Sequence, residues 1–239
     1  MFWSAPERFI SQMVLALGKL CLKQFPTFFD RQGMYRCETT SVEGFIQQLA
    51  VAYVARGYWF YVAGSIPEGK DPRHIDAKLI EKYDVDISKW TRVRLKRQGM
   101  ATVQYLRFDR FFVLLATEGE HRFFLEEPLI RDIRQRRIRF AGYSVGCQKG
   151  RDGRWHPLVR IDALEFKLIT RHFLNVALTT STAVLAGKLW GLGFVPYAPV
   201  RAQYLHLFHT VNERRRLASL EPLPWDILPT ARRIVKPFA

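Results

Sequence analysis

The chain has 239 residues, 48% of them hydrophobic, with 37 Lys and Arg against 22 Asp and Glu and a formal net charge of +15. Such a hydrophobic content excludes a mainly disordered protein, and the length is enough to bury a full core. The cationic excess points to a polyanionic partner, nucleic acid first, and no apolar run reaches the roughly 18–20 residues that span a bilayer.

Residues 1–56 read as a helical N-terminal extension. Phe9, Met13, Leu17 and Leu20 mark one face of a helix over 6–24, which Pro26 ends. Phe25, Phe28, Phe29 and Tyr35 then suggest a loop or short hairpin pinned by aromatics. Ser41 can cap a second helix over 42–56, with Phe45, Leu49, Ala52 and Tyr53 as its apolar stripe and Gly57 as its stop.

Residues 57–161 read as a ferredoxin-like α+β core, with a βαββαβ centre over about 57–147. Its strands are expected over 58–66, 101–108, 110–117 and 138–146, all rich in aromatic and β-branched residues. The helical crossovers are expected over 71–98 and 126–137. Within the first, Asp71 with Pro72 opens one helix and Ser88 caps a short second one over 89–98, stopped by Gly99. With both crossovers on one sheet face, the other face is free to bind a partner. An extra strand over 155–161 pairs with the last strand through the turn at 148–153.

Residues 162–239 read as a helical cap with a basic tail, and the three parts are expected to form one compact unit. Leu164, Leu168, Phe173 and Val176 give the stripe of its first helix, and a short helix follows over 181–190. The last helix, over 200–217, buries Tyr204, Leu207, Phe208 and Val211, and the tail from Glu221 is extended. Cys21, Cys37 and Cys147 are odd in number and lack CxxC spacing, which fits a reducing, cytoplasmic compartment.

Two cationic clusters stand out: Lys89, Arg92, Arg94, Lys96 and Arg97, then Arg131, Arg134, Arg136, Arg137 and Arg139. A solvated helix face also carries such runs, but two of them with Arg214, Arg215, Arg216, Arg232, Arg233 and Lys236 favour a broad phosphate-binding surface. Trp59, Tyr61 and Tyr105 on neighbouring strands are placed to stack unpaired bases beside that charge. Phe60-Tyr61-Val62-Ala63-Gly64-Ser65-Ile66-Pro67 is similar to the first-strand motif of RNA-recognition motifs, and Arg110-Phe111-Phe112-Val113 matches their third-strand motif in part. The similarity covers under ten residues per motif and assigns no family.

Glu118-Gly119-Glu120-His121 follows the third strand, and Tyr143 lies on the fourth. If the strand continues through Gly119, both carboxylates share a face, His121 adds a ligand and Tyr143 is a candidate nucleophile. HUH-type nickases build such a site, although their usual histidine pair is missing here.

The first reading is therefore binding of RNA or single-stranded nucleic acid, with protein partners in a ribonucleoprotein, no membrane and no cofactor. The second is an endonuclease or nickase, HUH-like or Cas6-like, that would use Mg²⁺ or Mn²⁺. The third is a winged-helix binder of duplex DNA, in which the helix over 89–98 enters a groove and the following hairpin is the wing. It ranks last because it leaves the strands before and after it unpaired.

Overall fold

Ser41, Asp71 and Ser88 each begin a helix, accepting hydrogen bonds from the N–H groups of Gly44 at 3.0 Å, Arg73 at 3.0 Å and Thr91 at 3.1 Å. These side chains satisfy donors that a first helical turn otherwise leaves open. The structure, a computed structural model, describes residues 35–229, 231–232 and 234–238. The helix expected over 6–24 and the turn around Phe25, Phe28 and Phe29 lie outside them. The fold is α+β with two antiparallel sheets, divided into two units. One runs to Ile133 and takes in the chain again from Lys236; the other is Arg134–Val235. The division falls inside the segment expected to form one core.

In the first unit, α1 (Val42–Gln47) continues as a π-helical stretch, Gln48–Tyr53, and a 3₁₀ turn, Val54–Arg56. The expected single helix is thus present but widens: the Val54 N–H is shared between the carbonyls of Ala50 and Leu49. Gly57 ends it at φ 89°, a left-handed conformation that glycine enters without a steric penalty. Then come β1 (Phe60–Ser65), α2 (Pro72–Lys82), α3 (Lys89–Arg97), β2 (Val103–Phe108), β3 (Phe111–Ala116), α4 (Phe123–Glu126) and β4 (Arg131–Asp132). The sheet order is β2-β3-β1-β4. Asp109, at φ 51°, and Arg110 make the expected tight turn between the paired Phe108 and Phe111.

Both faces of this sheet are covered. Val103 and Tyr105 of β2, with Phe112, Leu114 and Ala116 of β3, form a core with Ile75 and Leu79 of α2. On the opposite face Leu106, Val113 and Leu115 are also wholly buried. There α1 packs along β2, and Phe45 meets Phe111 edge-on at 5.8 Å. The bare binding face expected from the sequence is therefore absent, because the first described helix fills it. Residues from the far end of the chain complete the unit: the Thr40 N–H donates to Pro237 O at 3.0 Å. Pro237 lies so close over Gly44 that a side chain there would come within 2.9 Å of its Cα.

Two further expectations are corrected. The helix over 126–137 does not form: α4 ends where it was to begin, since Glu127 precedes Pro128 and takes an extended ψ of 114°. The strand over 138–146 is two strands, because Ala141 at φ 46° and Gly142 at φ 77° fold it back on itself. Positive φ at both central residues is the geometry of a tight hairpin turn. The fourth place in the first sheet is instead taken by β4, paired with β1 through Phe60↔Asp132 and Tyr61↔Arg131.

The second unit holds the three-stranded sheet β5 (Ile138–Phe140), β6 (Tyr143–Lys149) and β7 (Trp155–Ile161), in that order. The expected β6–β7 hairpin is present. Helices α5 (Ala163–Val176), α6 (Thr182–Trp190) and α7 (Ala198–Leu217) follow. Their core joins Ile169, Phe173, Leu185, Leu189, Tyr204 and Leu207. Of the expected stripe Phe173 is buried, but Leu164 and Leu168 are 64% and 51% exposed, and Ile169 takes their place inside. Arg215 is buried as well, its guanidinium donating to the carbonyls of Ala177 at 2.6 Å, Thr180 at 2.9 Å and Glu221 at 2.6 Å. Among the described residues no helix is long and apolar enough to cross a membrane.

Candidate functional site

The most exposed element of the first unit is α3, none of whose residues is buried. It follows α2 after a short connection in which the Val85 side chain is fully buried, anchoring the entry to the helix. Its five cations divide by face. Arg92 donates to Val85 O at 2.7 Å, and one turn on Lys96 donates to Arg56 O at 3.1 Å and sits 5.2 Å above the Tyr58 ring. These two face the protein and hold the helix in place. Arg94 and Arg97 project from the other side, with Trp90 80% and Val93 38% exposed beside them, while Lys89 and Lys96 are exposed on the face that Arg92 shares.

The second cluster is not on a helix. Arg131 lies on β4 in the first unit, while Arg134, Arg136, Arg137 and Arg139 belong to the second. Arg139 Nε lies 3.1 Å from the Asp162 carboxylate. The aromatics expected to stack bases are placed differently as well. Tyr61 is 1% exposed and Tyr105 is fully buried, while Trp59 is partly buried at the start of β1.

The candidate cleavage residues are not brought together. β3 ends at Ala116, and Gly119 at φ 130° breaks the alternation that was to align Glu118 with Glu120. The backbone of Glu120 bridges to Met100, and the His121 Nδ1 accepts the Phe123 N–H at 3.0 Å. Tyr143 is in the other unit, 3% exposed, its hydroxyl accepting the Val195 N–H at 2.8 Å and its ring against Phe194. Among the described residues no group of three or more His, Cys, Asp and Glu side chains is arranged to hold a metal ion.

His121 does carry a pH signature. Burial first, then the Arg122 charge, hold its pKa below the ordinary 6.5, with Asp84 and Glu126 opposing. The neutral ring accepts the Phe123 N–H; a proton on Nδ1 removes that acceptor. Because the folded pKa is the lower one, the contribution is whole above pH 6.5 and declines as the pH falls through the folded value. Replacing His121 with Gln is expected to flatten the loss of thermal stability between pH 6.5 and the folded value, read from melting curves across that range.

Sequence reasoning missed a buried polar network in the first unit. Asp76 of α2 accepts from Tyr105 Oη at 2.6 Å, from Arg107 Nε at 2.9 and 3.0 Å, and from Cys37 Sγ at 3.6 Å. Burial, then the Asp76 charge, push the Cys37 thiol up to about 12, so it stays protonated and donates. The available signal was Arg107 itself, an arginine between Leu106 and Phe108 in an apolar strand. A scan against models of known protein families finds no match, and no curated protein matches the chain in sequence.

Proposed function

We propose that the chain binds nucleic acid and that α3 is the element that meets it. One observation carries the reading: a helix of nine residues with five cations, no acid and no buried residue leaves four of those cations exposed around an exposed tryptophan. A merely solvated helix is usually laced with both signs of charge. Lys89, Arg94 and Arg97 fit a phosphate backbone, and affinity gained that way is salt-sensitive.

Duplex DNA is the partner that the geometry favours. A B-form major groove admits an α-helix, whereas the A-form major groove is too narrow for side chains to read. The element order α1, β1, α2, α3, β2, β3, with β1 beside β3, is that of a winged helix-turn-helix, in which the second helix of the pair enters the groove, but α1 and α2 lie on opposite faces of the sheet here. That pairing removes one objection to this reading, that β1 is left without a partner. The order β2-β3-β1-β4 is also that of a split βαβ fold, so we read the first unit as ferredoxin-like with a shortened fourth strand. A second reading, single-stranded RNA or DNA, is favoured by Trp90, whose exposed indole can stack an unpaired base.

Fluorescence anisotropy tests both, with a DNA duplex of about three helical turns and with single-stranded DNA and RNA of matched length. The duplex is expected to bind best. The triple variant Lys89→Ala, Arg94→Ala, Arg97→Ala is expected to lower the slope of log K against log salt by about 2.7, and to weaken binding roughly 100-fold near physiological salt. Preference for a single strand, lost in Trp90→Ala, would transfer the function to the second reading. Absence of salt-dependent binding to all three probes would sink the proposal.

A further inference from the structure

The sheet of the second unit has one apolar face and one that carries exposed arginines at its edges over a buried centre. Ile138, Val145 and Val159 lie side by side across its three strands and are buried, and α7 packs along β7. The adjacent row, Arg139↔Ser144↔Arg160, points the other way, as neighbouring residues on a strand must. Both arginines are exposed, while Ser144 between them is only 5% exposed and Leu158 on the same face only 7%. Over Gly146 the cover is an arginine stem. A Cβ added to Gly146, which also faces this way, would come within 2.7 Å of Arg137 Cγ and 3.3 Å of its Cδ. The Arg137 methylenes thus lie along the face, as the stems of long cationic side chains do, and the Arg139 head is paired with Asp162 at 3.1 Å.

The hairpin tip extends this surface. Lys149, Arg151 and Arg154 are exposed around Gly150 and Gly153. Asp152 is the tip's acid, and it is occupied by the His156 Nε2 at 3.0 Å and the Arg154 N–H at 3.1 Å. Between Arg134 and Asp162 the sequence has eight Lys and Arg against two Asp, a net +6 within 29 residues.

Resting on the nucleic-acid reading above, we propose that the outer face of this sheet, with its hairpin tip, is a second phosphate-contact surface, so that each unit holds the same nucleic acid separately. Charge complementarity identifies the occupant: rows of guanidinium groups over small residues match the regular phosphates of a duplex backbone. Such contacts position a duplex without reading its sequence. Two surfaces on one chain also raise the effective concentration of each for the strand that the other already holds.

The test compares four full-length proteins on the same DNA duplex. They are wild type, the α3 triple variant, a sheet variant (Arg151→Ala, Arg154→Ala, Arg160→Ala) and a charge control (Lys167→Ala, Arg171→Ala, Lys188→Ala), whose three cations are exposed on α5 and α6. The sheet positions are exposed, so unchanged melting curves are expected to show that the fold persists. The sheet variant is expected to lose about 2.7 from the salt slope and roughly 100-fold in affinity near physiological salt, with the control close to wild type. Gly146→Val, which pushes the Arg137 stem off the face, is expected to weaken binding in the same direction. If the sheet variant matches wild type, or the control loses as much, the second surface is refuted while the role of α3 stands. If wild type itself does not bind, both readings fall together.

Discussion

Asp76→Ala is expected to destabilise the first unit by about 3–5 kcal/mol, because it strands a buried guanidinium. The Arg107 side chain is 3% exposed, and Asp76 is its inner partner; Glu38, at 3.0 Å, is its outer one and is half exposed. Removing the carboxylate also leaves the Tyr105 hydroxyl without its acceptor. The cost should appear as a shift of the urea midpoint with little change in slope. A double variant, Asp76→Leu with Arg107→Met, is expected to lose less than Asp76→Ala alone, since an apolar pair strands no charge. A loss under about 1 kcal/mol in the single variant would show that water or Glu38 replaces the carboxylate freely.

Gly119→Ala is expected to cost about 3 kcal/mol or more, for two reasons that add. Its φ of 130° is backbone that side-chain-bearing residues rarely adopt. Its missing Cβ would also lie 2.4 Å from Gly99 O, 2.6 Å from Ala101 N and 2.7 Å from Met100 C, and backbone cannot swing aside. The substitution would force apart the hydrogen bonds Ala101 N–H to Glu120 O at 3.0 Å and Glu120 N–H to Gly99 O at 3.1 Å. Amide exchange at Ala101 and Glu120 is the direct readout, with Gly69→Ala as the comparison, since a Cβ there meets nothing within 4 Å. Equal losses in both variants would mean that backbone conformation alone sets the cost.

Local signals were legible where one residue decides. Ser41, Asp71 and Ser88 cap the helices they were expected to cap, and Gly57 and Gly99 stop theirs at positive φ. The hairpin turn at Ala141-Gly142 was not legible, because alanine carries no mark of a left-handed conformation. Nor was the fate of the aromatic strands. Alternation gives Tyr61 and Tyr105 a face, but only the packing of α1 and α2 decides that both faces are closed. At the candidate site the five cations of α3 were visible as charge. How Arg92 and Lys96 are held depends on two carbonyls, Val85 O and Arg56 O, that no spacing rule reveals.

The contact between Thr40 and Pro237 sets an order of events during synthesis. The first unit is interrupted after Ile133 and resumes at Lys236, about a hundred residues later. At roughly 5–20 residues per second, its early part leaves the ribosome some 5–20 s before the segment that covers Gly44. For that interval the start of α1 has neither its Pro237 cover nor an internal acceptor for the Thr40 N–H. The second unit, by contrast, is one continuous stretch of chain and can close as soon as it emerges. Of the two units, the one that starts earlier along the chain is therefore the one completed later.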